Sequence, residues 1–111
     1  MQDNKGYTAL IWAACDDNNV SSLEIVQTLI LAGANLDLQD SEGNTALMWV
    51  SRFSKTPGSL ETVELLIRAK AKLDLLDRDG HTALMIAARY SFETSSLDTV
   101  LILISAGAKL N

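Results

Sequence analysis

Cysteine, proline and histidine each occur only once in this sequence, and aromatic residues make up only 5% of it. The single cysteine, Cys15, has no second cysteine with which to form an intramolecular disulfide, which fits a reducing compartment. Long apolar runs are also lacking, because the run 25–34 is interrupted by Gln27 and Thr28 and is too short to cross a bilayer. The amino terminus does not have the basic and apolar segments of a signal peptide. We therefore expect an intracellular, cytoplasmic protein that has no membrane partner.

Positive charge is scarce as well. The sequence has 9 Lys and Arg against 14 Asp and Glu, a formal net charge of -5, and its basic residues are scattered. Such a chain would repel phosphate backbones, so nucleic acid is not an expected partner. With 48% hydrophobic and 21% charged residues, the composition is typical of an ordered, soluble protein.

What the sequence does contain is an internal repeat. The segment DNKGYTAL begins at Asp3, DSEGNTAL begins at Asp40 and DRDGHTAL begins at Asp77, so the separation is 37 residues both times. This period divides the chain, taken as a single domain 1–111, into three units: 1–37, 38–74 and 75–111. In the numbering of unit 1, all three units are identical at Asp3, Gly6, Thr8, Ala9, Leu10, Ser22, Leu23, Val26, Leu29, Ile30, Ala32, Ala34 and Leu36. Agreement in phase over so many positions predicts a repeat architecture.

Each unit begins with a tight turn and a short helix. Gly6 punctuates the turn, because glycine accepts backbone angles that other residues avoid. Thr8 is expected to cap the helix that follows, since its hydroxyl can accept from backbone amides one turn further on. The helix should end near Asp16 or Asp17, where side chains compete for backbone hydrogen bonds, and Pro57 requires a break at the matching place in unit 2.

A second helix follows at once in each unit. Capping-box spacing marks two of its predicted starts, Ser21 with Glu24 and Ser95 with Asp98. The helix of unit 1 carries an apolar stripe made of Leu23, Val26, Leu29 and Ile30. Gly33 then suits a left-handed cap, and Lys70, which replaces this glycine in unit 2, is expected to be strained by about 1 kcal/mol.

The pattern D-x-x-G-x-T-A-L, followed by L-E-x-V-x-x-L-I-x-A-G-A, resembles the ankyrin repeat over the whole chain. The resemblance implies an all-α fold, an ankyrin-repeat solenoid of stacked helix-turn-helix units joined by β-turn fingers. Stacking is also required physically, because two short helices cannot bury the apolar stripe alone. The usual period is about 33 residues, so each unit has about four additional residues, which lie between its helices. Ile11, Met48 and Met85 replace the histidine of the family's T-P-L-H motif.

The residues offer little for catalysis or metal binding. His81 occupies a variable position before Thr82 and is interpreted as an exposed turn residue, not as a general base. Asp16 and Asp17 have no third carboxylate at the spacing of a metal-binding loop, and Cys15 has no neighbouring base. We therefore expect no enzymatic activity, no cofactor and no metal site.

The resemblance implies instead a scaffold that binds another protein on a concave face, formed by the turn tips and the first helices. The matching positions, at which the units differ, are Asn4, Lys5, Tyr7, Cys15 and Asp16 in unit 1, Ser41, Glu42, Asn44, Arg52 and Phe53 in unit 2, and Arg78, Asp79, His81, Arg89 and Tyr90 in unit 3. Interaction hot spots favour aromatic and arginine residues, so the predicted anchors are Tyr7, Arg52, Phe53, Arg89 and Tyr90. Phe53 and Tyr90 have an alternative role, which is packing beneath the lengthened loop.

Two further expectations concern large apolar side chains. Trp12, Trp49 and Ile86 share one position, which is mostly buried in ankyrin repeats, and they are predicted to lie in the core. The end units are expected to be uncapped and to expose Leu10, Trp12, Leu23 and Val26 at one end and the second helix of unit 3 at the other. Homo-oligomerisation through these ends would then cover them. Two alternatives to the scaffold remain open, a fragment of a longer array and a self-assembling structural piece.

Overall fold

Six α-helices make up the regular structure in a computed structural model that describes residues 2–3, 6–15, 20–54, 57–91 and 95–110. The helices are α1 (Ala9–Cys15), α2 (Val20–Leu31), α3 (Ala46–Arg52), α4 (Pro57–Arg68), α5 (Ala83–Arg89) and α6 (Leu97–Ser105). The residues described contain no strand. The predicted all-α class and the two helices per unit are therefore confirmed.

The helices stack in two layers. The first helices of the units pack in the order α1, α3, α5, the second helices pack in the order α2, α4, α6, and the two helices of each unit pack against each other. The core lies between the layers, where Val26, Leu47, Val63, Leu66, Ile86 and Leu103 are all at most 2% exposed. Among the described residues, the main helix contacts lie within a unit or between neighbouring units. This is how a helical solenoid buries stripes that no single unit can cover.

Hydrogen bonds of one pattern close the turn that opens each unit. We call these turns the fingers: residues 3–7, 40–44 and 77–81. In the second finger the Asp40 N–H donates to the Asn44 carbonyl at 2.9 Å, and the Asn44 N–H donates back to Asp40 Oδ1 at 2.9 Å. The Gly43 N–H donates to the Asp40 carbonyl, and Gly43 has a φ of +82°, so only glycine adopts this turn without strain. The repeated aspartate and glycine are thus requirements of the finger.

The first helices start as predicted. Thr45 is the N-cap of α3, where its hydroxyl accepts from the Met48 N–H at 3.2 Å, and Thr8 and Thr82 make the same bond in the other units. In units 2 and 3 the last residues of these helices are Arg52 and Arg89, while the end predicted near Asp16 or Asp17 in unit 1 lies outside the described residues.

The second helices do not start at the predicted capping boxes. The N-cap of α6 is Ser96, whose side chain accepts from the Thr99 N–H at 3.3 Å, while Ser95 is fully buried and hydrogen-bonds to Ser54. Ser95 therefore links two units and leaves the cap to the next serine. α2 begins at Val20, so Ser21 lies inside the helix. Pro57 is the first residue of α4, where its missing N–H costs nothing, and the predicted break before it is confirmed.

Each second helix ends with a left-handed residue. The φ angles are +86° at Gly33, +74° at Lys70 and +100° at Gly107. The Lys70 N–H donates to the Ile67 carbonyl and the Ala71 N–H donates to the Leu66 carbonyl, both at 3.0 Å. This pair of bonds is a Schellman cap. The left-handed lysine predicted from the sequence is therefore confirmed.

Candidate functional site

The predicted binding positions fall into four groups by exposure. Ser41, Glu42, Arg78, Asp79 and Arg89 are exposed, whereas Tyr7, Arg52, Phe53, His81 and Tyr90 are partly buried. Asn44 is buried at 6% exposure, because it closes the second finger. Asn4, Lys5 and Asp16 lie outside the described residues, and nothing is described of the Cys15 side chain.

Aromatic side chains form a continuous row along the first helices of units 1 and 2. The Tyr7 ring meets the Trp12 ring edge-on, with centroids 5.0 Å apart, and meets the Trp49 ring edge-on at 6.2 Å. Trp49 stacks on Phe53 with centroids 6.2 Å apart and an angle of 12° between the rings. These arrangements are the ones that aromatic pairs favour, so the rings hold one another in place.

Two arginines extend this row into unit 3. The Arg52 guanidinium lies between two rings, with its Cζ 5.8 Å from the Trp49 centroid and 4.8 Å from the Tyr90 centroid. The Cζ of Arg89, the last residue of α5, is 5.8 Å from the centroid of Tyr90, which follows it as the C-cap. Contacts of a cation with the face of a ring are attractive. We call the resulting set the aromatic row: Tyr7, Trp12, Trp49, Arg52, Phe53, Arg89 and Tyr90.

The core prediction for the two tryptophans is wrong for Trp12, which is 56% exposed. Its indole Nε1 donates to Asp3 Oδ2 at 3.1 Å, and Trp49, which is partly buried, donates in the same way to Asp40 Oδ2 at 2.8 Å. An indole N–H needs an acceptor, and the finger aspartate supplies one at the surface. Ile86, which has no polar atom to satisfy, is buried at 2% exposure, as predicted.

Neighbouring fingers are joined by contacts that the sequence analysis missed. Gln39 Nε2 donates to the carbonyls of Gly43 and Leu76, both at 2.8 Å, and Gln2 bridges the first and second units in the same way. The Arg78 N–H donates to the Glu42 carbonyl at 2.8 Å. The sequence does contain a sign of these contacts, because Gln2 and Gln39 are 37 residues apart and so occupy the same position in two units. The fingers are therefore held as one surface.

The two predicted apolar end faces differ. At the unit 1 end, Leu10 and Val26 are 2% and 0% exposed, so the prediction that they are uncovered is wrong. They are buried because α1 and α2 pack on each other and on the helices of unit 2. The second helix of unit 3 does expose apolar side chains, with Leu97 at 67%, Leu101 at 51% and Ile104 at 44%.

One group of side chains in the described ranges brings three metal-ligand atoms together. A carboxylate oxygen of Asp77, one of Asp79 and an imidazole nitrogen of His81 all lie within 4.8 Å of one another. His81 was interpreted from the sequence by itself, without the two aspartates of the D-x-D-x-H segment that includes it.

None of the helices that the structure describes has the length and apolar character that a membrane-spanning helix needs.

The sequence was compared with models of protein families and with curated proteins. A family model for ankyrin repeats, in three copies, matches residues 15–111, while a search of the curated proteins finds no match. The match covers most of the chain and includes the helices α2 to α6. The chain belongs to the ankyrin-repeat family.

Proposed function

We propose that this protein is a non-enzymatic scaffold that binds another protein through the aromatic row and the exposed tips of the fingers. Ankyrin repeats are generally protein–protein interaction modules. The observation that carries the proposal for this surface is the aromatic row, which crosses all three units and remains partly exposed. Aromatic and arginine side chains supply most hot-spot energy in protein interfaces.

Residue type varies between the units at several positions of this surface. Cys15, Arg52 and Arg89 occupy the same position in the three units, and so do Asp16, Phe53 and Tyr90. Positions that maintain the fingers and caps, such as the glycine and threonine of each unit, are instead identical. The row is also well ordered by its own ring contacts, which lowers the entropy lost when a partner binds.

The proposed contact residues follow from exposure. Tyr7, Ser41, Glu42, Arg52, Phe53, Arg78, Asp79, His81, Arg89 and Tyr90 are included, and Trp12 is added because it is 56% exposed. Asn44 is left out because its burial within the finger leaves little surface for a partner. Asn4, Lys5 and Asp16 remain proposals from the resemblance. An intracellular, cytoplasmic location also stays a proposal and fits the lone cysteine.

The test is a selection of binding peptides from a displayed library, followed by calorimetric measurement of their affinity. Changing Arg52, Phe53, Arg89 and Tyr90 to alanine should weaken binding at least about 100-fold, since hot-spot residues cost 2 kcal/mol or more each. The matched control changes Glu61 and Arg68, which are exposed on α4 in the other helix layer. Unchanged affinity in the four-residue variant, with unchanged far-UV circular dichroism, would exclude this surface.

A second candidate function is self-association through the outer face of α6. In unit 2, Leu60 and Ile67 are partly covered, whereas their unit 3 counterparts Leu97 and Ile104 are 67% and 44% exposed. A second copy of the chain offers apolar side chains of its own on α2, where Ile25 is 49% exposed. Exposed apolar patches of this kind mark interaction sites.

A further inference from the structure

The third finger differs from the other two in the partner of its aspartate. Asp3 Oδ2 accepts an indole N–H from Trp12 at 3.1 Å, and Asp40 Oδ2 accepts one from Trp49 at 2.8 Å. In unit 3 the tryptophan position is Ile86, which has no donor. Within the described residues, no hydrogen bond reaches Asp77 Oδ2, and the His81 Nδ1 atom lies 3.7 Å from it.

This missing donor matters because the Asp77 side chain is only 7% exposed. Its Oδ1 accepts from the N–H groups of Asp79 at 2.9 Å and His81 at 2.8 Å, which fixes the orientation of the carboxylate. The second oxygen is left without the donor that its two counterparts have. A carboxylate oxygen that accepts no hydrogen bond can coordinate a cation instead.

We propose that Asp77, Asp79 and His81 bind a divalent first-row transition metal, with Zn²⁺ as the representative ion. Their ligand atoms lie within 4.8 Å of one another. Ligand atoms around one zinc ion are about 3.4 Å apart, given zinc–ligand distances of about 2.1 Å. Small rotations of the Asp79 and His81 side chains close that difference, since Asp79 is exposed and the His81 side chain is 36% exposed.

The ligand set selects the metal. An imidazole with two carboxylates suits zinc, nickel or copper, whereas magnesium and calcium prefer oxygen ligands alone. The hydrogen bonds to Asp77 Oδ1 hold the buried ligand in place, as the outer contacts of metal sites do. The other fingers lack the imidazole, because Tyr7 and Asn44 stand where unit 3 has His81. The site belongs to unit 3 and does not rest on the proposed protein binding.

The experiment is a Zn²⁺ titration of the untagged protein near pH 7, followed by the NMR signals of the histidine ring. His81 is the only histidine, so these signals report on this site and not on zinc bound by Cys15. We expect them to shift saturably with one equivalent of Zn²⁺ and not to shift with Mg²⁺. Ring signals that stay unshifted up to about 1 mM Zn²⁺ would overturn the proposal.

Three variants test the geometry. Asp79→Asn removes an exposed ligand and should weaken zinc binding at least about 10-fold, while Glu42→Gln, the same position in the second finger, should leave it unchanged. Equal effects of the two changes would overturn the proposal. Ile86→Trp restores the indole donor and should also weaken binding if the variant folds. Zinc affinity equal to that of the parent in this folded variant would refute the role of the missing donor.

Discussion

Two glycines with the same backbone angle allow one steric contact to be measured by itself. Gly43 and Gly80 both have a φ of +82°. A Cβ at Gly43 would lie 2.7 Å from the Arg78 nitrogen and 2.9 Å from two backbone atoms of Asp77, whereas a Cβ at Gly80 would meet nothing within 4 Å. Replacing either glycine with alanine adds the same left-handed strain, about 1 kcal/mol. Only Gly43→Ala also pushes the next finger away.

The additional cost follows from what must move. Ordinary Cβ contacts are at least 3.4 Å, so the third finger must retreat by roughly half an ångström or more. That movement strains the bond from the Arg78 N–H to the Glu42 carbonyl, worth about 1 kcal/mol, and overpacking of this kind typically costs 1–3 kcal/mol. We therefore expect Gly43→Ala to lower the free energy of unfolding by about 2 kcal/mol more than Gly80→Ala.

Urea unfolding, followed by far-UV circular dichroism, measures this difference. With a urea dependence of about 1–3 kcal/mol per molar, the two midpoints should be separated by roughly 1 M. Gly6→Ala should fall between them, because its Cβ would lie 3.0 Å from backbone atoms of the second finger. Equal midpoints for Gly43→Ala and Gly80→Ala would show that the fingers do not approach each other as described.

Two other predictions concern the end of α4 and the outer face of α6. Lys70→Gly relieves a φ of +74° at an exposed residue and should raise the free energy of unfolding by up to about 1 kcal/mol, while Lys70→Ala, which keeps the strain, should not. A urea midpoint that falls or stays constant in Lys70→Gly would contradict the strained cap. Sedimentation velocity over a hundredfold concentration range should show self-association of the parent and less of it in Leu97→Lys with Leu101→Glu, since both leucines are more than half exposed. A parent that remains monomeric throughout would rule out self-association.

Most of the fold was predictable because it depends on residues that recur in phase. The finger glycines, the threonine caps and the left-handed position at Lys70 each act within a few residues of their own place in the chain. The start of α6 was not predictable in the same way. Ser95 bonds to Ser54 of the preceding unit, and a contact between residues so far apart competes with the local capping signal.

The sequence predicted which positions form the candidate site but not which of its side chains contact each other. The sequence identified Arg52 and Tyr90 as variable surface residues, but only the stacking of α3 on α5 brings one over the other. Burial of the tryptophans was predicted from their position in the repeat, whereas Trp12 is 56% exposed and its indole N–H donates to Asp3 at the surface. The cluster around His81 was not predicted because its distinguishing feature is the missing indole donor at Ile86, which is recognised only from the bonds that Trp12 and Trp49 make in the other units.

The glutamine bridges between fingers make the array directional. Each bridging amide lies at the start of one unit and reaches forward to the carbonyl of the residue that precedes the next finger, as Gln39 does to Leu76. In unit 3 the equivalent residue is Leu76, which has no amide with which to reach forward. An array that grew by duplicating unit 2 would therefore gain a bridge with every copy. An array that grew by duplicating unit 3 would add each new finger without a glutamine bridge. The units are therefore not interchangeable.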